Sequence, residues 1–284
     1  MYKIAFMAYE DNVIDTDIVD YVSNPMNLES GKGYTHETIV AEIIKKHMGN
    51  KEYELIQVEN SFKGFMWCIE NGVNVLNVSY NQLSGIGLDY TYEKSLENSM
   101  KIIVSAGNAH EAGETQLATK DNYATAVAAV GENGEHLDFS SWGGGHVDIA
   151  CMGKHYIDGK YRYGTSYASP VATAITAMYD MMFHMKRGRY MTMKEQYDFY
   201  KNKCIDIDEK GKDLKTGFGW LKEESLKGGV LEVANYPEDI KDHWAEEVLK
   251  KYIDLGILKG YPDGTIRPDR NVTLAEMITI LDRL

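Results

Sequence analysis

The chain has 284 residues, of which 44% are apolar, and a formal net charge of −13 at pH 7. This length and apolar content support one large domain with a buried core plus a small second unit, and they exclude a disordered chain. The acidic balance argues against nucleic acid and against an anionic membrane surface as main partners, and it favours basic peptides.

The cysteines and the N-terminal residues narrow the kinds of site and the cellular locations that we expect for this protein. Cys68, Cys151 and Cys204 are widely separated and form no CxxC pair, so they indicate neither a disulfide framework nor a zinc site. We predict no metal and no cofactor. The N-terminal residues do not form a signal peptide and no run approaches 18 apolar residues, so we expect a cytoplasmic protein that does not span a membrane.

The first half of the chain alternates predicted strands and helices. Residues 3–7 form a buried apolar strand that is followed by Ala8. A helix is predicted from His36, because apolar residues recur at three- and four-residue spacing and Gly49 supplies a stop. A further strand is predicted at residues 53–58.

Two more predicted strands lead into loops. Residues 75–79 form a strand that follows a helix end, and residues 102–106 form a buried strand that continues into Gly107 and Asn108.

Residues 164–170 read Gly-Thr-Ser-Tyr-Ala-Ser-Pro and set Ser166 at the predicted N-terminus of a helix. A serine hydroxyl is a poor nucleophile unless a base activates it and N–H donors accept the charge of the oxyanion. A helix N-terminus supplies such donors. Gly164 lets a substrate backbone approach, and Pro170 is expected in the first helical turn, where its missing N–H costs nothing.

The segments around His36, Asn108 and Ser166, in this chain order, resemble the motifs of subtilisin-like serine proteases, the subtilase family. The resemblance implies a three-layer α/β fold with a central, mainly parallel sheet flanked by helices. It also implies serine endopeptidase chemistry on a peptide or protein substrate. Ser166 would attack the peptide carbonyl, His36 would move the proton, and Asn108 with the Ser166 N–H would form the oxyanion hole.

The same resemblance assigns substrate contacts to the ends of two strands. These substrate-lining positions are Ser79, Tyr80, Asn81, Ser105, Ala106 and Gly107.

Three positions depart from the family pattern. Ala8 stands where the family has the aspartate that orients the histidine. Glu37 stands where the family has the glycine of its His-Gly-Thr motif, and Tyr80 begins a segment in which the family usually has glycines.

The missing aspartate predicts an impaired or inactive peptidase, because loss of the triad carboxylate lowers turnover on the order of 10^4-fold. Asp11 and Asp15 are the two candidate substitutes for the acid at position 8. The alternative function is a pseudoprotease that binds peptides or acts as a scaffold.

A change of composition near residue 228 predicts three parts: a catalytic domain at 1–227, a linker at 228–235 and a second unit at 236–284. The second unit reads as two helices, the last of which begins with a capping box formed by Thr273 and Glu276.

Residues 242–245, 260–265 and 272–276 of the second unit resemble one surface-layer homology repeat. The resemblance implies a small all-α unit, a bacterial cell-wall polysaccharide as partner, and the cell surface as the alternative location.

A single repeat of this kind buries little apolar surface by itself. The family usually combines three repeats, so we predict a homotrimer that associates through Trp244, Tyr252 and Leu274. Packing against the chain's own catalytic domain would cover the same surface.

Overall fold

The computed structural model describes residues 1–9, 13–80, 88–110, 124–143, 147–230, 236–254, 257–261 and 263–282. The chain divides into two compact units, Met1–Val230 and Leu231–Leu284. Two predicted site positions, Asp11 and Asn81, lie outside the described residues.

The first unit contains nine strands and five α-helices within the described residues. The strands are β1 (Tyr2–Ala8), β2 (Val22–Ser23), β3 (Tyr53–Glu59), β4 (Val75–Val78), β5 (Lys101–Ser105), β6 (Thr125–Val130), β7 (Ile149–Met152), β8 (Lys154–Ile157) and β9 (Lys160–Tyr163). The helices are α1 (His36–Met48), α2 (Phe62–Glu70), α3 (Leu88–Glu97), α4 (Thr165–Arg187) and α5 (Met193–Lys203), and a 3-10 helix spans Glu223–Leu226.

Seven strands form one sheet in the order β2-β3-β1-β4-β5-β6-β7, and every neighbouring pair is parallel. Strands β1, β5 and β6 are near-continuous apolar runs, as expected for strands that helices cover on both faces. The predicted α/β fold with a central parallel sheet is confirmed.

The hairpin of β8 and β9 was not predicted, although its turn carries a clear signal. Asp158 and Gly159 both have positive φ, +53° and +68°, as a two-residue hairpin turn of type I′ requires. The hairpin leads directly into Gly164, so it delivers the chain to the start of α4.

Helix α4 packs against α1 and against strands β4 to β7. Two buried polar contacts tie it to the sheet. Near its middle, the Asp180 carboxylate pairs with the Lys101 ammonium at 2.7 Å, and both side chains are fully buried. The Tyr2 hydroxyl donates to the same carboxylate oxygen at 2.8 Å, which helps to satisfy a charge that would be costly to bury alone.

The second contact lies at the start of α4 and corrects the expectation for Pro170. Helix α4 begins at Thr165, so Pro170 lies in its second turn and not in its first. The missing N–H of Pro170 leaves the carbonyl of Ser166 without its helical partner. The Ser79 hydroxyl donates to that carbonyl at 2.8 Å and also contacts the Ser169 hydroxyl at 3.1 Å.

In the second unit, the described elements are a 3-10 helix (Glu238–Ile240), α6 (Glu246–Asp254) and α7 (Leu274–Leu281). The predicted capping box of Thr273 and Glu276 is confirmed at the start of α7. No described residue of α7 is buried. Among the described residues, no helix is both long enough and apolar enough to cross a membrane.

The contact of Ser79 with α4 predicts a loss of stability on Ser79→Ala. This change leaves the part-buried Ser166 carbonyl without a donor and the buried Asn77 Nδ2 without its acceptor, Ser79 Oγ at 2.9 Å, which together cost about 1–3 kcal/mol in the free energy of unfolding. Ser169→Ala is the matched control, since it removes only the hydroxyl contact between the two serines. Urea denaturation should show the larger loss for Ser79→Ala, and equal losses would contradict the assignment.

The buried imidazole of His155 in β8 predicts that the free energy of unfolding falls at acidic pH. Burial lowers the pKa of His155 to about 4, and its Nε2 lies 2.9 Å from the Met152 carbonyl oxygen. Between pH 6.5 and 4 the unfolded chain therefore binds a proton that the folded chain does not, so stability falls as the pH falls through this window. The shift corresponds to about 3 kcal/mol.

Urea denaturation at several pH values measures this contribution as the difference between the wild type and His155→Gln. We expect the variant to lose less stability than the wild type between pH 6.5 and 4. Parallel pH profiles for the two proteins would be inconsistent with a buried neutral imidazole.

Candidate active site

Ser166 is the second residue of α4, at the end of the connection from the β8–β9 hairpin. Gly164 precedes the helix, and a Cβ added there would lie 3.0 Å from the Ser166 hydroxyl oxygen. A side chain at position 164 would therefore crowd the nucleophile, which explains the glycine. The bond from Ser79 fixes the backbone of Ser166 from the other side.

Asn108 lies beside this helix start, and hydrogen bonds to Thr165 determine which way its amide points. The Thr165 N–H and hydroxyl both donate to Asn108 Oδ1, at 2.9 and 3.0 Å. The Gly107 N–H in turn donates to the Thr165 hydroxyl at 3.1 Å. Because a backbone N–H can only donate, Oδ1 must face Thr165, and Nδ2 remains as the donor for another group.

His36 is the first residue of α1, and Thr35 caps this helix by accepting from the Thr38 N–H at 3.1 Å. The imidazole is partly exposed, with 21% of its side-chain surface accessible. Its ring centre lies 5.4 Å from the ring centre of Tyr167, the residue after Ser166. The packing of α1 against α4 therefore brings the predicted base against Tyr167, the residue that follows the predicted nucleophile.

Within the described residues, the carboxylate that contacts His36 belongs to Glu37. His36 Nδ1 lies 2.8 Å from Glu37 Oε1, and the Glu37 side chain is fully buried. The Tyr80 hydroxyl donates to the same carboxylate oxygen. Burial, and secondarily the charge of Glu37, raise the pKa of Tyr80, so this hydroxyl stays protonated as a donor.

The two described positions predicted for the acid, Ala8 and Asp15, do not contact His36 through a carboxylate. Ala8 is buried at the end of β1 and carries none. The carboxylate of Asp15 accepts from the N–H groups of Gly33 at 2.6 Å and Asp17 at 2.9 Å. These backbone hydrogen bonds lower the pKa of Asp15, so it is an ionised cap of the loop before α1.

The predicted substrate-lining side chains are largely engaged within the fold. Ser79 is buried against α4, and Ser105 and Ala106 are buried at the end of β5. Tyr80 is partly buried, and its hydroxyl points to Glu37. A peptide would therefore contact the backbone of these residues more than their side chains. Gly107 has a φ of +107°, a conformation that favours glycine.

Sequence reasoning did not find Glu37 as the partner of His36. The available signal was the departure from the family's His-Gly-Thr motif at position 37. No cluster of three or more histidine, cysteine, aspartate or glutamate side chains in the described part of the chain is arranged to hold a metal ion.

Comparisons with known proteins agree with this fold. The family model described as "Subtilase family" matches residues 28–219, and the model described as "S-layer homology domain" matches residues 238–278. A solved structure described as a lanthipeptide protease superposes with a TM-score of 0.63 at 16% identity, covering 80% of this chain and 87% of that one.

Two curated relatives match separate parts of the chain. The thermostable alkaline protease of Halalkalibacterium halodurans is 27% identical over 125 residues, which is 41% of this chain and 34% of that protein. Cell surface glycoprotein 1 of Acetivibrio thermocellus is 40% identical over 53 residues, which is 19% of this chain and 2% of that protein. The chain thus spans 34% and 2% of the length of these relatives.

The subtilase model covers more than half of the chain, and the matched range includes Ser166, His36 and Asn108. The protein therefore belongs to the subtilase family, and it also carries an S-layer homology domain.

Proposed function

We propose that the chain is a serine endopeptidase that hydrolyses peptide bonds at Ser166. The observation that supports this most strongly is the fixed amide of Asn108, whose oxygen is held by Thr165 so that Nδ2 is the group left to donate. In the described part of the chain, neither Asn108 Nδ2 nor the Ser166 N–H has a hydrogen-bond partner. Two donors beside one serine form an oxyanion hole.

The proposed reaction uses these groups in order. The Ser166 hydroxyl attacks the peptide carbonyl while His36 accepts the hydroxyl proton, and Asn108 Nδ2 with the Ser166 N–H stabilises the oxyanion. His36 then gives the proton to the leaving amine, and an acyl-enzyme remains on Ser166. Water, deprotonated by His36, hydrolyses the ester. The acidic charge of the chain favours basic peptides as substrates.

A second candidate is a peptide-binding protein that does not turn over its ligand. The alanine at position 8 favours it, because the family's acid is missing from β1. In that case the cleft would bind peptides while Ser166 stays unreactive.

A fluorophosphonate probe separates the two candidates. We expect it to form an adduct on Ser166, because the oxyanion donors and the base needed for phosphonylation lie beside this serine. Mass spectrometry of the digested protein locates the adduct, and Ser166→Ala is the control that should abolish it. A folded protein that binds basic peptides but forms no adduct after long incubation would support the second candidate.

For the second unit we propose attachment to the bacterial cell surface. The matched cell surface glycoprotein supports this location by its name, whereas the cytoplasmic location expected from the N-terminal residues gains no such support. The unit also has a cavity of about 430 Å³ beside α7. At its wall the guanidinium groups of Arg267 and Arg270 lie 4.4 and 4.9 Å from the ring centre of Tyr261, and they are ion-paired with Asp263 and Glu276. This surface of one aromatic ring and two planar guanidinium groups suits a cell-wall polysaccharide.

We further propose that this unit self-associates, as the sequence predicts. Trp244 is 89% exposed and Leu274 is 67% exposed, and Tyr252 also reaches the surface. Helix α7 adds Ile278 and Leu281 to the same exposed apolar set. Apolar surface of this extent on a small unit is typical of an interface.

Light scattering tests this proposal. We expect a mass three times that of the monomer for the full chain, and a monomer mass for the double variant Trp244→Asp, Ile278→Asp, because two buried charges would oppose association. The same two proteins should differ in co-sedimentation with purified bacterial cell walls. A monomer mass for the unmodified chain would end the trimer proposal.

A further inference from the structure

The most unusual feature of the site is a carboxylate that is fully buried in the first turn of α1. The Glu37 side chain has no accessible surface, although an unpaired charge in such a place would be strongly unfavourable. Two polar groups contact it: His36 Nδ1 at 2.8 Å and the Tyr80 hydroxyl, both at Oε1. Its position near the helix N-terminus also favours a negative charge.

The surroundings of Glu37 leave His36 as its counter-charge. Within the described residues, no lysine or arginine nitrogen lies within 4.0 Å of this carboxylate, and its second oxygen, Oε2, is buried without a hydrogen-bond partner. The neighbouring group that can become a cation is therefore the imidazole. A carboxylate at Nδ1 holds the tautomer that keeps Nε2 free to accept a proton, and it stabilises the imidazolium that forms.

The three departures from the family motif fit together as one arrangement. Compared with the family motif, position 8 lacks a carboxylate because it is Ala8, and position 37 has an additional one because it is Glu37. Tyr80 stands where the family usually has a glycine. The Tyr80 ring contacts His36 at 5.4 Å between ring centres and packs edge-on against Tyr9 at 4.4 Å. The Tyr9 ring thus supports the Tyr80 ring, and the Tyr80 hydroxyl fixes the direction of the Glu37 carboxylate.

We propose that Glu37 replaces the missing aspartate as the acid partner of His36, with Tyr80 holding the Glu37 carboxylate in place. Glu37 is thus a positioning residue, because it acts on the substrate only through the imidazole. This inference rests on the proposed peptidase function. It implies a Ser166–His36–Glu37 triad in which base and acid are consecutive residues of one helix, so Ala8 does not impair the enzyme.

The first test is kinetic. Glu37→Gln keeps the shape of the side chain but removes its charge, and we expect kcat to fall about 10^3- to 10^4-fold with little change in KM, because the lost interaction strengthens only in the transition state. Tyr80→Phe should lower kcat by a smaller factor. Glu70→Gln, an exposed change of the same type on α2, should leave both constants unchanged.

A second kinetic test returns the carboxylate to position 8, where the family has it, and measures whether kcat recovers. Glu37→Gly alone should be as slow as Glu37→Gln, whereas the double variant Glu37→Gly, Ala8→Asp should recover at least about 10^2-fold in kcat, because it rebuilds the family's triad. Ala8→Asp by itself should give no gain, since His36 already has its carboxylate. A large gain from Ala8→Asp alone would overturn the proposal.

A spectroscopic readout makes the inference independent of activity. In ¹⁵N-histidine-labelled protein, a charge-assisted bond to a carboxylate should give a far-downfield proton resonance on His36 Nδ1. We expect this resonance to persist in Ser166→Ala and to vanish in His36→Gln and in Glu37→Gln. Its persistence in folded Glu37→Gln would overturn the proposal. If Glu37→Gln does not fold, Glu37→Asp, which keeps the charge, should retain the resonance, and its loss there would count against Glu37.

The two proposals can fail separately. If Ser166 forms no adduct with a fluorophosphonate but the resonance depends on Glu37, the peptidase proposal fails and the pairing of Glu37 with His36 stands. If Ser166 reacts and Glu37→Gln has an unchanged kcat, the peptidase proposal stands and the role of Glu37 is wrong.

Discussion

The site depends on how the first turn of α4 is held against the carboxyl ends of β4 and β5. Pro170 removes the N–H that would bond the Ser166 carbonyl, and the Ser79 hydroxyl from the end of β4 replaces it. Beyond the end of β5, Asn108 binds the N–H and hydroxyl of Thr165. The proposed nucleophile, Ser166, is therefore positioned by side chains that follow two neighbouring parallel strands, and the bonds from Thr165 orient the Asn108 amide.

The sheet and α4 matter for the site because they bring its side chains together at one edge of the sheet. The carboxyl ends of parallel strands meet at one edge of a sheet, which is where α/β proteins usually place their ligands. Strand β1 also ends at this edge, and its last residue, Ala8, carries no carboxylate. In the proposed arrangement the first turn of α1, which already carries His36, supplies Glu37 as the acid instead. A change of this kind keeps the position of the imidazole while changing the element that orients it.

Much of the fold was predictable because its signals are local. Residues 3–7 read as a buried strand and lie within Tyr2–Ala8, and the helix predicted from His36 ends before Gly49 as expected. The hairpin of β8 and β9 was missed even though Asp158-Gly159 is a strong turn signal. Pro170 was placed in the wrong turn, because the exact start of a helix depends on the tertiary contact of Thr165 with Asn108.

The site was only partly predictable, for a physical reason. The motifs predict roles for Ser166, His36 and Asn108 because the signal for each lies in its own sequence neighbourhood. Three-dimensional packing determines which carboxylate contacts an imidazole, and the sequence does not show that packing. From the sequence alone, the missing aspartate at position 8 therefore predicts an impaired site. Only the burial of Glu37 and its contact with Tyr80 indicate a replacement.

The most direct test of this account is a crystal structure of the protein after reaction with a peptide chloromethyl ketone. We predict one adduct that joins the Ser166 oxygen and His36 Nε2, with the former carbonyl oxygen bonded to Asn108 Nδ2 and the Ser166 N–H, and with Glu37 on His36 Nδ1. An adduct in which Glu37 has turned away from His36, or a folded protein in which the reagent joins neither residue, would contradict it.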